Sequence, residues 1–147
     1  MIDFDRLKNY LPKEHFESTE TNVADSWNQL HMAERHWHSA TILRDLDPAG
    51  SFQLLYDAAR KTLQALLAAG GIRITSAGGH YAFVRVAELD FLEDESWLQF
   101  RAMRLIRNSL EYPNREIHSL TESELIEAID AVSRMIAEAK KLLDQCR

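Results

Sequence analysis

Apolar residues recur along most of this chain at alternating spacings of three and four, the repeat of a helix that buries one face. Residues 2–11 read as a short helix, with Ile2, Phe4, Leu7 and Leu11 apolar and Pro12 ending it. Residues 13–22 are polar and predict irregular chain. A long helix follows over about 21–45, where Val23, Trp27, Leu30, Trp37 and Ala40 are separated by 4, 3, 7 and 3. Asp47 and Pro48 then start a new helix as N-cap and first helical residue. That helix, to about residue 69, is the most apolar of the chain: Phe52, Leu55, Tyr56, Ala59, Leu63, Leu66 and Leu67. Gly70 and Gly71 stop it. IRITSAGGH at 72–80 reads as a brief extended turn or a loop into a helix over about 80–92. Near the end, Thr121 and Glu124 form a capping box. The final helix carries Leu125, Ile129, Val132, Ile136, Ala139 and Leu143 at spacings of 4 and 3, a packing seam. The plan is therefore an all-α fold, one domain over 1–147, built as an antiparallel bundle of four to five helices.

The stretch 101–113, RAMRLIRNSLEYP, has two faces on a helical wheel. Leu98, Ala102, Met103, Leu105, Ile106 and Leu110 fall on one arc, which is expected to be buried. The other arc carries Arg101, Arg104, Arg107, Asn108 and Glu111, with Trp97, Phe100 and Tyr112 among them. Glu93, Asp94 and Glu95 precede this helix, where its dipole favours acids. Pro113 stops it, because the residue before proline is pushed out of the α region. Arginines crowded on one face need carboxylates or another anion nearby, and the bulky aromatics between them argue against a purely solvated surface.

Composition narrows the classes of function. With 147 residues, 46% hydrophobic and 27% charged, the chain has the profile of an ordinary soluble domain with room for one core. No apolar run approaches the ~20 residues of a membrane span and no signal-peptide core is present, so a cytoplasmic location is expected. The single cysteine, Cys146, excludes an internal disulfide and a cysteine-rich zinc site within one subunit. A net charge of −6 opposes indiscriminate binding to nucleic acid. Phosphate recognition would have to be local, on a face such as that of Arg101, Arg104 and Arg107.

Other residues invite chemistry less strongly. In HMAERHWH, His31 and His38 share a helix face but lie two turns apart, about 10 Å, too far to ligate one ion. The expected reading of this stretch, His36 included, is a solvated or interfacial face without metal, and no cofactor is implied. Glu34 falls on the apolar stripe and needs a cation if buried. Asp57 and Lys61 stand at i, i+4 with Arg60 beside them, as in a surface ion pair. Gly78 and Gly79 lack the context of a phosphate loop, and His80 would begin the helix after them, where the dipole disfavours its charged form.

LLYDAARKTLQALLAAGGIRITSAGGHYAFV, followed by the R-x-x-R-N-x-x-E-Y-P stretch, resembles the HEPN superfamily (higher eukaryotes and prokaryotes nucleotide-binding domain) over about residues 45–143. The resemblance implies a helical bundle that pairs as a homodimer. Many active members are metal-independent ribonucleases, marked by an arginine, a polar residue and a histidine after four to six intervening positions. A helical acid followed four residues on by lysine often accompanies the motif. Asp57 and Lys61 match the acid and lysine, and Arg107 and Asn108 match the arginine and its polar neighbour. The histidine position falls on Tyr112, and His118 lies too far along to fit. A phenol with a pKa near ~10 is a poor acid or base at neutral pH, and losing a positioned acid/base typically costs 10²- to 10⁴-fold in rate.

Three functions compete on this reading. The first is a non-catalytic HEPN-like module binding RNA, a nucleotide or a protein partner such as a nucleotidyltransferase or an antitoxin. Its anion-binding residues would be Arg101, Arg104, Arg107, Asp57, Lys61, Glu111 and His80. The second is a metal-independent, toxin-like endoribonuclease, with Arg107, Asn108 and Tyr112 as the catalytic candidates and His80 contributing across a dimer. The third is a structural helical dimer whose arginines only make ion pairs. An imidazole beside Arg107 would favour the second, and full neutralisation by carboxylates the third.

Overall fold

The computed structural model describes residues 2–111 and 120–146, and for His80 the backbone only. Tyr112, Pro113 and His118 therefore lie outside the described residues, while the arginines of the same stretch lie within them.

The chain is mostly helical: six α-helices among the described residues, with a two-stranded sheet. These are α1 (Phe4–Tyr10), α2 (Val23–Leu43), α3 (Pro48–Ala69), α4 (Gly79–Ala87), α5 (Phe100–Glu111) and α6 (Glu122–Asp144). The caps are those that the side chains dictate. Asp3, Asn22 and Asp47 accept the backbone N–H of Arg6, Asp25 and Gly50, and the Thr121/Glu124 capping box is complete. Gly71, at φ 69°, takes the left-handed turn after α3.

α2, α3 and α6 pack on one another and hold the core. α3 is their centre, with Phe52, Leu55, Tyr56, Ala59 and Leu63 fully buried. α2 and α3 run antiparallel about the turn at Asp47. Their register is pinned at one end by Ser51 Oγ donating to Ala40 O (2.7 Å) and at the other by Asn22 N donating to Ala68 O (3.2 Å). The indole N–H of Trp37 on α2 donates to Ile129 O on α6 (2.8 Å). Glu34, on the same side of α2, has the cation it needs: Lys140 Nζ at 3.1 Å, with His31 Nδ1 at 3.6 Å.

Three expectations are corrected. Residues 13–22 are not irregular throughout: a 3₁₀ turn (Lys13–His15) leads into strand β1 (Phe16–Ser18), which pairs antiparallel with β2 (Ile72–Ile74). Three-residue strands are too short to show a period of two; the β-branched, glycine-bounded stretch at 72–80 announced β2, and nothing comparable announced β1. The helix expected over 80–92 is shorter, ending at Ala87, and with α1, α4 and α5 counted separately the helices number six instead of four or five.

The third correction concerns α5. Leu98 and Leu105, expected inside, are 72% and 61% exposed, and Ala102 is exposed with them. The buried residues are Trp97, Phe100 and Met103. A 3₁₀ turn (Glu95–Gln99) leads into α5, and at three residues per turn it brings Trp97 into line with Phe100. The larger aromatic surface wins the core. Arg104 and Arg107 consequently turn toward α3, while Leu98, Ala102 and Leu105 turn out.

Candidate functional site

The inward arc of α5 meets the outer edge of α3 around Tyr56. This phenol is fully buried, its ring stacked on Phe100 at 5.3 Å between centroids. Burial pushes its pKa up to about 12, so the ring presents a neutral face to its cationic neighbours Arg104, Arg107 and Arg60. The guanidinium of Arg107 lies over it, 5.7 Å from the centroid, and its Nη1 is 2.6 Å from Glu111 Oε2. Arg60 reaches Asp57 at 3.5 Å. The Nε atoms of Arg60 and Arg104 are buried and have no hydrogen-bond partner among the described residues. Among the described residues neither Arg104 nor Lys61 has an ion pair within 4.0 Å, and the carboxylates paired with Arg60 and Arg107 are Asp57 and Glu111.

On the other side of α3 stands His36 of α2. Lys61, Asp57 and Arg60 of α3 are close enough for their charges to act on it. Burial, and then the charges of Lys61, Arg35 and Arg60 outweighing that of Asp57, hold its pKa below the usual imidazole value. Near neutral pH the ring is uncharged. Burial likewise depresses the pKa of Lys61, against the attraction of Asp57.

The structure thus brings Arg104, Arg107 and Glu111 of α5 to Tyr56, beside Arg60 and Asp57, while Lys61 stands next to Asp57 on the side of His36. Asn108 is half-buried on the same helix. Arg101 is separated from them: its Nε and Nη2 donate to Glu88 at 2.7 and 3.2 Å on the exposed side of α5. Its guanidinium is already satisfied. The backbone of His80 lies in the first turn of α4. Among the described residues no group of three or more His, Cys, Asp or Glu is placed to hold a metal.

Sequence reasoning passed over Arg60, Tyr56 and His36. Arg60 looked like one member of a surface ion pair and Tyr56 like plain core. His36 was hidden in a run whose spacing drew attention to His31 and His38.

Chemically, the arrangement offers guanidinium donors at Tyr56 and, on the side of α3 that faces α2, an ammonium group beside His36, on a face open enough for Asp57 to remain 41% exposed. No protein-family model matches this chain, and no curated protein and no solved structure does either.

Proposed function

We propose that the chain is a HEPN-like helical module that binds a phosphate-bearing ligand, RNA or a nucleotide, without catalysis. The observation that carries this reading is the excess of cation around Tyr56 among the described residues: Arg60, Arg104 and Arg107 face Asp57 and Glu111, and two guanidinium Nε atoms stay buried without a partner there. A donor left unmade in a partly desolvated site is costly, and an anion that accepts from it recovers that cost. A structural network would be expected to close its own bonds. Titrating the full chain with inorganic phosphate and a short single-stranded RNA tests the proposal. Both should bind, and Arg104→Ala with Arg107→Ala should remove binding while the fold persists. Unchanged binding by a folded double variant overturns the reading.

The module pairs with a second copy in this reading, a property of the family it resembles. The outward stripe of Leu98, Ala102 and Leu105 supplies apolar surface for such pairing. Light scattering at micromolar concentration should give about twice 16.9 kDa, and Leu98→Asp with Leu105→Asp should return it to that value.

A second reading, a metal-independent ribonuclease, has one observation in its favour. His36 is a neutral imidazole at the edge of the cationic group, with the partly buried Lys61 beside it, the pair of groups that proton transfer at a phosphodiester requires. Cleavage of RNA in the presence of a chelator, lost in His36→Gln, would replace the non-catalytic reading with this one.

A further inference from the structure

The small sheet has an open edge, and a cavity lies along it. Bonds at the two ends fix the parity of the ladder: Thr19 N donates to Gly71 O and Thr75 N to His15 O, so Glu17 and Arg73, midway between, are the next bonded pair. The N–H and C=O groups of Ile72 and Ile74 therefore point away from β1, and none of the four has a hydrogen-bond partner among the described residues. Such an edge is a template for one more strand. Beside it, between β2, α2 and α3, is a cavity of about 540 Å³. All three residues of β2 line it, Ile72, Arg73 and Ile74, and none of β1 does. Successive side chains of a strand point to opposite faces, so three consecutive lining residues mean that β2 turns its edge to the cavity.

Charge decides what can enter. Leu67 and Ile72, both buried, give the cavity an apolar floor. α2 supplies Asp25 to its lining, and the segment before α2 supplies Glu20. Arg73 is paired with Glu17, while Glu20 and Asp25 have no ion pair among the described residues. Two carboxylates are thus left uncompensated, in a chain whose net charge is −6. An acidic segment is repelled from such a place and a basic one attracted. A lone cation would meet the carboxylates but leave the row of backbone donors and acceptors on β2 unmatched, whereas another strand matches a row with a row.

We propose that this cavity receives an extended basic segment of a partner protein, which adds to the free edge of β2 as a third strand. Its backbone bonds Ile72 and Ile74, its apolar side chains meet the floor at Leu67, and its lysines or arginines meet Glu20 and Asp25. The site shares no residue with the cationic group around Tyr56 and does not rest on the phosphate-binding reading.

Two capped peptides test this by NMR titration of the full chain, one alternating lysine with valine and one with glutamate in place of lysine. The lysine peptide should bind, less tightly as sodium chloride is raised, and the glutamate peptide at least about tenfold more weakly. Bound lysine peptide should slow hydrogen exchange at the Ile72 and Ile74 amides, a sign of strand addition that charge attraction alone does not produce. Ile74→Pro should abolish binding, because it deletes an outward N–H that the ladder with β1 does not use. Glu20→Gln with Asp25→Asn should weaken the lysine peptide by about tenfold, and it keeps the proposal open to test should the proline variant fail to fold. Equal affinity for the two peptides, no binding of either, or binding with unchanged exchange at Ile72 and Ile74 overturns the proposal. So does protection of those two amides that rises with chain concentration in the absence of peptide, since the edge is then covered by a second copy.

Discussion

Two polar groups lie against the core, and they are built differently. At the start of α5, Glu138 of α6 accepts from the backbone N–H of Glu93 (2.8 Å), from that of Asp94 (3.2 Å) and from the indole N–H of the buried Trp97. Asp94 in turn caps Ser96 N and pairs with Arg134 at 3.1 Å, and these bonds hold its carboxyl below the usual carboxylate range, the Ser96 backbone bond most of all. Each charge there has its partner, while the buried Ser96 Oγ has none among the described residues. Around Tyr56 the balance of charge is different, with cations in excess and guanidinium nitrogens unmatched among the described residues. A network of paired charges fixes geometry, whereas one with charge in excess is available to a ligand.

The sharpest test of that contrast is Glu138→Ala. It strands the indole N–H of Trp97 and two backbone donors, so stability should fall by about 3 kcal/mol and the melting temperature by roughly 6 to 12 °C. Phosphate affinity should hold. Arg104→Ala should do the opposite, weakening phosphate binding by tenfold or more while costing under about 1 kcal/mol of stability. If it unfolds the chain instead, the open group is structural and the contrast fails. Arg107→Ala lies between the two. It loses a helical ion pair and the contact over Tyr56, together about 1 kcal/mol, along with phosphate affinity.

Smaller effects sharpen the comparison further. Because the folded chain holds the His36 pKa below that of the unfolded chain, the neutral ring favours folding above the ordinary imidazole range, and this advantage is lost as pH falls through the folded-state pKa. A bound anion favours the protonated ring, so sulfate affinity should rise several-fold as the solution is acidified below about pH 6.5. His36→Gln should flatten both profiles. Smallest of all is Arg101→Ala, which removes an exposed pair with Glu88 and should leave phosphate affinity unmoved. A large loss there would mean that the whole arginine face, and not its inner end, carries the charge recognition.

Much of the scaffold was legible because its signals are local. The Asp47-Pro48 start, the Gly70-Gly71 stop and the Thr121/Glu124 box each specify a boundary from a few neighbouring side chains. α5 was harder. Its wheel was read from apolarity alone, and what decided the outcome was size: Trp97, Phe100 and Met103 displaced Leu98 and Leu105 from the core through a change of helical pitch that no single residue announces. The site was half visible for a related reason. Arg104 and Arg107 sit in a recognisable local stretch, but Arg60, Tyr56 and His36 belong to it only through the packing of three helices, a relation between distant parts of the chain.

The small sheet has a consequence for the order in which the chain comes together. α2 and α3 meet across a short turn, so their pairing closes a small loop and costs little chain entropy. β1 and β2 instead join Glu17 to Arg73 across that entire hairpin, with Thr19 N donating to Gly71 O (2.7 Å) and Thr75 N to His15 O (2.9 Å) as further fasteners. Such a clasp can form only once the hairpin has shortened the path between its halves. The α2–α3 pair is thus the early-forming unit and the N-terminal arm its late lock. The β2 side of α3 is therefore closed last, in the same event that ties down the first twenty residues.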